Sequence, residues 1–228
     1  MYAAPDRGPW QGRVDPEDGA AGLRWHQVVQ FEPPAKPAIA LLGFPCDLGV
    51  CANQGRPGAA GGPTALRAAL AGQAWHADLA LYDAGDVAVT QDLPAAQRAC
   101  GERLATLLEG NEFVLGLGGG HEMGWAGYLG CRAWRDRWAP GAVLGILNYD
   151  AHFDLRRPAP VPTSGTPFYQ VAQDCSAREE EFHYACLGIS RTGNTRALFE
   201  RAAELGVEYL PDIRCRDPES DALLQHFL

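Results

Sequence analysis

The sequence predicts a three-layer α/β/α domain built around a mainly parallel sheet. Six apolar runs of strand length alternate with segments whose apolar residues recur at helical spacing. Strands that are apolar on both faces and separated by helices are typical of a parallel sheet covered on both sides. The runs predicted as strands are Ala38–Phe44, Leu79–Tyr82, Glu112–Leu117, Ala142–Tyr149, Tyr184–Ile189 and Val207–Leu210. The segments predicted as helices are Pro63–Leu70, Pro94–Glu109, Glu122–Trp134, Thr195–Leu205 and Pro218–Phe227.

The domain organisation follows from length and composition. A chain of 228 residues fits one α/β domain better than two. Residues 1–35 are rich in glycine, proline and charge, which predicts an N-terminal arm lying over the domain surface. Residues 36–228 then form the α/β domain.

Composition and charge exclude several classes of partner. The chain is 46% hydrophobic and 21% charged, which is ordinary for a soluble globular protein. Its formal net charge of -9 repels phosphate backbones, so no nucleic-acid partner is expected. There is no apolar run near the roughly 18–20 residues that span a bilayer, and no signal-peptide pattern. We therefore expect a cytoplasmic protein with a small-molecule substrate and no membrane partner. Its seven cysteines contain no CxxC pair and are expected to be reduced.

The strongest chemical signal is the segment Asp150-Ala151-His152-Phe153-Asp154, which follows an apolar strand. Ligands of parallel α/β sheets sit at the carboxyl ends of strands. Because residues two apart on an extended chain point the same way, Asp150, His152 and Asp154 are predicted to converge. Charges gathered in this way favour a divalent cation over a solvated acidic loop.

A second signal is Gly118-Gly119-Gly120-His121-Glu122, which follows the predicted strand Glu112–Leu117. Glycines allow a sharp turn and a close backbone approach. A dinucleotide-binding motif is excluded, because it would require glycine where His121 stands. A lone histidine after glycines is more often a turn residue, but its place on the same sheet edge favours a metal ligand.

Carboxylate and imidazole ligands without thiolates suit manganese better than iron, cobalt or zinc. Two such ions a few ångströms apart can bridge a water and supply hydroxide at neutral pH. The pattern therefore predicts hydrolysis of a polar C–N bond.

These motifs resemble the first two metal motifs of the arginase, agmatinase and formimidoylglutamase superfamily. Three further stretches resemble the formimidoylglutamases in particular. They are the segment 44–67, which contains Asn53-Gln54-Gly55-Arg56; the segment 154–168, with Thr163-Ser164-Gly165-Thr166-Pro167-Phe168; and Trp10-Gln11-Gly12-Arg13 with Trp25-His26-Gln27.

The resemblance implies a role for each matching residue. His121 and Asp154 would bind one manganese ion, His152 would bind the other, and Asp150 would bridge both and so hold the attacking hydroxide. Arginases carry a proton-shuttling histidine where this chain has Phe168, which disfavours arginase proper. The implied reaction is hydrolysis of N-formimidoyl-L-glutamate to L-glutamate and formamide in histidine degradation.

The two carboxylates of that substrate require cationic or amide partners, since a guanidinium can hold a carboxylate with two hydrogen bonds. The candidates predicted from the sequence are Asn53, Arg56, Ser164, Gly165, Thr166 and Arg191.

The resemblance also implies a third metal motif, Asp-x-Asp, which does not occur in these 228 residues. We therefore expect a chain that lacks its last strands, with an exposed apolar sheet edge, four of six ligands, an incomplete second manganese site and weakened activity. Alternatives left open are an agmatinase or other guanidino hydrolase of the superfamily, and a non-catalytic metal-binding fragment. A homo-oligomer is also left open, since superfamily members commonly form trimers or hexamers.

Overall fold

The computed structural model describes residues 2–228, and at residue 219 it describes the backbone alone. The strands are β1 (Tyr2–Ala3), β2 (Val29–Gln30), β3 (Ala38–Phe44), β4 (Ala80–Val87), β5 (Phe113–Gly118), β6 (Gly145–Tyr149), β7 (His183–Ile189) and β8 (Glu208–Pro211). The α-helices are α1 (Trp25–Val28), α2 (Leu48–Ala52), α3 (Gly62–Ala71), α4 (Leu93–Gly110), α5 (Met123–Trp138), α6 (Pro167–Ala177), α7 (Arg196–Glu204) and α8 (Glu219–Phe227).

The strands form two hydrogen-bonded sheets, and the prediction of a mainly parallel α/β fold is confirmed. In the first sheet β3 lies between β4 and β5, parallel to both, while β2 pairs in parallel and β1 antiparallel with β4. In the second sheet β7 lies between β6 and β8, again in parallel. Within the described chain, no backbone pairing joins β5 to β6.

Strand β3 forms because its residues are apolar on both faces. Leu41 and Leu42 point to opposite sides and are both fully buried. Leu42 packs under helices α4 and α5, whereas Leu41 packs with Leu81 and Leu117 on the other side. Burial on both faces fixes β3 at the centre of its sheet. No helix in the part of the chain that the structure describes is long and apolar enough to cross a membrane.

The structure differs from the sequence prediction at several elements, among them β4 and α6. Strand β4 continues to Val87, five residues beyond the predicted end at Tyr82, because the acidic residue Asp83 is neutralised inside the protein. Helix α6 was missed altogether. It begins with Pro167, a favoured first helical residue, and buries Phe168 and Val171 three residues apart. That apolar spacing was present in the sequence.

The predicted arm, residues 1–35, supplies both short strands that pair with β4. Trp10 is buried, and its indole Nε1 donates a hydrogen bond to Asp83 at 2.8 Å. Residue 1 lies outside the described residues, and the division of the chain at residue 35 stays a prediction.

A buried ion pair joins α3 to β4. The guanidinium of Arg67 donates to both carboxylate oxygens of Asp83, at 2.8 and 2.9 Å, and to Asp86 at 2.7 Å. Arg67 is 2% exposed and Asp83 is fully buried. Removing one partner of such a pair leaves an uncompensated charge in the core.

Arg67→Met is therefore expected to lower the free energy of unfolding by about 3–5 kcal/mol, measured by urea denaturation. The matched control is Arg137→Met. The pair of Arg137 with Glu109 lies on the surface, so its loss should change stability by about 0.5 kcal/mol or less. Equal effects of the two substitutions would contradict the role given to the buried pair.

Candidate metal centre and substrate cleft

The turn after β5 presents His121. The amide of Gly119 donates to the carbonyl of Phe44 at 3.0 Å, and the amide of Gly120 donates to that of Cys46 at 2.8 Å. A Cβ atom at residue 119 would lie 2.1 Å from the carbonyl oxygen of Cys46, so this close approach requires glycine. The turn thus holds His121 at the carboxyl end of the first sheet.

The loop after β6 presents Asp150 and Asp154 to the same point. Nδ1 of His121 lies 2.6 Å from Oδ2 of Asp154 and 3.1 Å from Oδ2 of Asp150. One potential ligand atom from each of these three residues lies within 4.8 Å of the others. The structure therefore brings together three of the four predicted ligands.

These carboxylates converge by a different route from the one the sequence suggested. Strand β6 ends at Tyr149, so residues 150–154 are not extended as the alternation argument assumed. Asp154 instead has a φ of 47°, in the left-handed region that non-glycine residues rarely adopt. Backbone strain of this kind clusters at functional sites, where the surrounding structure holds it in place.

The fourth predicted ligand, His152, lies beside this group. Its Nδ1 is 3.5 Å from Oδ1 of Asp150, and its side chain is 57% exposed. Asp150 therefore lies between two imidazoles, with Oδ2 facing His121 and Oδ1 facing His152.

The electrostatics of the group favour a cation. Burial lowers the pKa of His121, but hydrogen bonds and charges from Asp150 and Asp154 outweigh burial and raise that pKa to about 10. Burial raises the pKa of Asp150, but hydrogen bonds and charges from His121 and His152 together outweigh burial, so the net shift of this pKa is downward. Two carboxylates facing one imidazole leave an excess of negative charge that a divalent ion would balance.

A cleft of about 680 Å³ opens over the group. Its walls include the predicted residues Asn53, Ser164 and Gly165. They also include three arginines that the sequence analysis did not propose, namely Arg156, Arg157 and Arg201.

The remaining predicted substrate residues are not brought to this cleft. Arg56 is exposed elsewhere on the surface. Arg191 lines a separate cleft with Phe199 and Tyr209. Thr166 is 1% exposed, and its hydroxyl donates to the carbonyl of Thr163 ahead of helix α6.

Arg156 is tied to two walls of the cleft. Its guanidinium donates to Oδ1 of Asn53 at 3.1 Å, and its amide donates to the carbonyl of Gly165 at 2.9 Å. The signal that could have identified it is the basic pair Arg156-Arg157 directly after the acidic metal motif.

Glu122 connects the turn that carries His121 to the opposite wall. It is fully buried, and its Oε1 accepts a hydrogen bond from the amide of Gly49 at 2.9 Å. The carbonyl of Gly49 in turn accepts from the amide of Ser164 at 3.0 Å. Burial raises the pKa of the Glu122 carboxyl. One buried side chain thus links β5, α2 and the loop at residue 164.

Comparison with known proteins gives a consistent picture. The sequence model that describes the arginase family matches residues 37–228 of this chain. The chain is 49% identical to a formimidoylglutamase of Aeromonas salmonicida, over 94% of this chain and 69% of that protein. It is 50% identical to a formimidoylglutamase of Aromatoleum aromaticum, over 91% of this chain and 63% of that protein. The chain thus spans about two thirds of the length of these relatives.

A solved structure is similar as well. The crystal structure of formiminoglutamase from Trypanosoma cruzi with Mn²⁺ superposes with a TM-score of 0.72 at 27% sequence identity. The match covers 84% of this chain and 65% of that one.

Replacing Glu122 tests the link between the walls. Glu122→Gln keeps an oxygen acceptor for the Gly49 amide, whereas Glu122→Leu leaves that buried amide unpaired. We expect Glu122→Leu to be less stable than Glu122→Gln by about 1–3 kcal/mol in urea denaturation, with faster hydrogen exchange at Gly49. Equal stability and exchange in the two variants would show that the link carries no free energy.

Proposed function

We propose that this chain, which belongs to the arginase family, is a manganese-dependent formimidoylglutamase. The reaction would convert N-formimidoyl-L-glutamate to L-glutamate and formamide, a step in histidine degradation. The observation that carries the proposal is the convergence of His121, Asp150 and Asp154 in a cleft whose other walls carry arginines.

The residues present fit a manganese ion. Carboxylate and imidazole donors without thiolates match its preference, and the excess negative charge of the group would be balanced by a divalent ion. His121, Asp150 and Asp154 would hold one ion, and His152 with the shared Asp150 would contribute to a second. When bound, manganese supplies Lewis acidity and lowers the pKa of water.

Asp150 has the position expected of the residue that organises this centre. Each of its carboxylate oxygens faces a different imidazole, so one side chain can serve both halves of the site. The ring of His121 packs against the ring of Phe168 in a T-shaped contact, with the two centroids 5.5 Å apart. By the resemblance, Phe168 would stand where arginases carry a proton-shuttling histidine; phenylalanine offers no proton, which favours a formimino substrate over arginine.

The arginines of the cleft support a substrate that carries two carboxylates. Arg156 and Arg157 can bind the substrate carboxylates, with Asn53 donating from the same wall. The formimidoyl carbon then lies toward the acidic group, where water adds to it. The bond from that carbon to the glutamate nitrogen breaks, and the nitrogen takes up a proton. A cationic wall opposes agmatine, which carries only positive charge at neutral pH.

The metal centre can be tested without turnover. We expect calorimetry to find one tightly bound Mn²⁺ per 228-residue chain, with any second ion bound more weakly because, among the described residues, four candidate ligand groups meet at this site. Removing a residue that hydrogen-bonds to a metal ligand lowers metal affinity about 10–100-fold. Asp154→Asn removes a ligand itself, so it should lower the affinity for Mn²⁺ roughly 100-fold or more.

The control for this titration is Asp92→Asn at the start of α4. Asp92 caps the amide of Ala95 and is absent from the cleft walls, so Mn²⁺ affinity should stay unchanged. Wild-type protein that takes up no Mn²⁺ would refute the proposed centre, and two equally tight ions would refute the predicted inequality.

The substrate assignment is tested by binding in the presence of Mn²⁺. Arg156→Met and Arg157→Met should each raise the Kd for formimidoylglutamate roughly 10–100-fold, the value of one charge-assisted hydrogen bond. Arg191→Met is the control, because Arg191 lines another cleft. A larger increase in this Kd for Arg191→Met than for Arg156→Met would instead favour Arg191, the residue predicted from the sequence, as a partner of the substrate carboxylates.

Turnover of formimidoylglutamate, agmatine and arginine then separates the remaining alternatives. Faster release of product from agmatine would favour a guanidino hydrolase. Binding of Mn²⁺ and substrate without release of glutamate would favour a non-catalytic metal-binding protein. The cytoplasmic location and the homo-oligomer stay predictions.

A further inference from the structure

Asn194 is a buried polar residue that the proposed chemistry does not use. It lies just before helix α7 and is 7% exposed. We propose that Asn194 is a positioning residue that holds the loop Asp150–Asp154 in the shape required for metal binding. The inference rests on the proposed function, since it concerns the same metal centre.

The side-chain amide of Asn194 spans the middle of the ligand loop. Its Nδ2 donates to the carbonyl of Ala151 at 2.8 Å, and its Oδ1 accepts from the amide of Phe153 at 3.1 Å. These two residues flank His152 and alternate with the three predicted ligands of the loop. The backbone on both sides of His152 is therefore bound by a single planar group.

The far side of the amide is anchored as well. Nδ2 also donates to the carbonyl of Ser190 at 2.8 Å, and the amide of Ser190 donates to the same Ala151 carbonyl at 2.9 Å. The end of β7 thus becomes a fixed support for the loop after β6. Both amide hydrogens and the oxygen of Asn194 are occupied by these contacts, which identifies its role as positioning rather than substrate binding.

The loop depends on such a support because the left-handed backbone of Asp154 costs free energy. The side chain of His152 is 57% exposed, so burial does little to fix its direction. Phe153, between them, is fully buried against the rings of Phe199 and Tyr209. Asn194 fixes the backbone amide of Phe153, and the position of this amide sets the direction of the neighbouring ligands His152 and Asp154.

Asparagine suits this position for a chemical reason. The loop offers one carbonyl acceptor and one amide donor, and only a side chain that both donates and accepts can pair with both. Alanine would leave the amide of Phe153 unpaired and the carbonyl of Ala151 with the Ser190 amide alone, whereas serine would keep one hydroxyl for these two groups. Asn194→Ser should therefore remove part of the support, and Asn194→Ala should remove all of it.

The test is the affinity of the 228-residue chain for Mn²⁺, measured by calorimetry and by the Mn²⁺ EPR spectrum at a temperature where every variant is folded. We expect Asn194→Ala to weaken binding about 10–100-fold, the effect of losing a residue that orients ligands, and to alter the EPR spectrum. Asn194→Ser should lie between wild type and alanine, and it decides the test if the alanine variant does not fold.

The matched control is Asn111→Ala. The Nδ2 of Asn111 donates to the carbonyl of Leu107 at the end of α4, away from the cleft, so the same chemical change should leave the Kd within twofold. Mn²⁺ affinity unchanged in the Asn194 variants, or reduced no more than in Asn111→Ala, would overturn the inference while leaving the metal centre intact. Wild-type protein that binds no Mn²⁺ would overturn the metal centre and this inference together.

Discussion

The contact of His121 with Asp150 and Asp154 is the interaction on which the rest of the site depends. His121 follows the first sheet and the two carboxylates follow the second, and no backbone pairing joins those sheets at β5 and β6 in the described chain. The electrostatic attraction between the imidazole and the two carboxylates therefore acts between the two sheets. The two carboxylates that favour a bound cation thus also hold the two sheets together at their carboxyl ends, through their contacts with His121.

Two buried polar side chains, Glu122 and Asn194, set the geometry of the cleft walls. Glu122 joins the turn of His121 to Gly49, and through it to the loop that lines the cleft at Ser164. Asn194, in the loop between β7 and α7, hydrogen-bonds the backbone on both sides of His152. Because a hydrogen bond between buried groups is costly to break, each of these contacts fixes a definite distance between two elements.

Much of the fold could be predicted because apolar periodicity is a local property. The central strand Ala38–Phe44 was predicted with its observed ends, since every residue in it is apolar or glycine. The predicted strand ended too early, at Tyr82, because the burial of Asp83 depends on Arg67 from another element. Helix α6 was missed although its spacing was readable, since the segment before it was interpreted as a binding loop.

The sequence alone determined the parallel α/β class, the identity of the candidate ligands and the resemblance to the arginase family. These follow from residue type and short spacing, which do not require knowledge of distant contacts. Only the tertiary structure decided that Asp154 reaches His121 through a left-handed turn, and that Arg156 rather than Arg191 faces the cleft. The physical reason is that Arg156 meets Asn53 across 103 positions of the chain, and such a contact is set by packing between elements rather than by any local pattern.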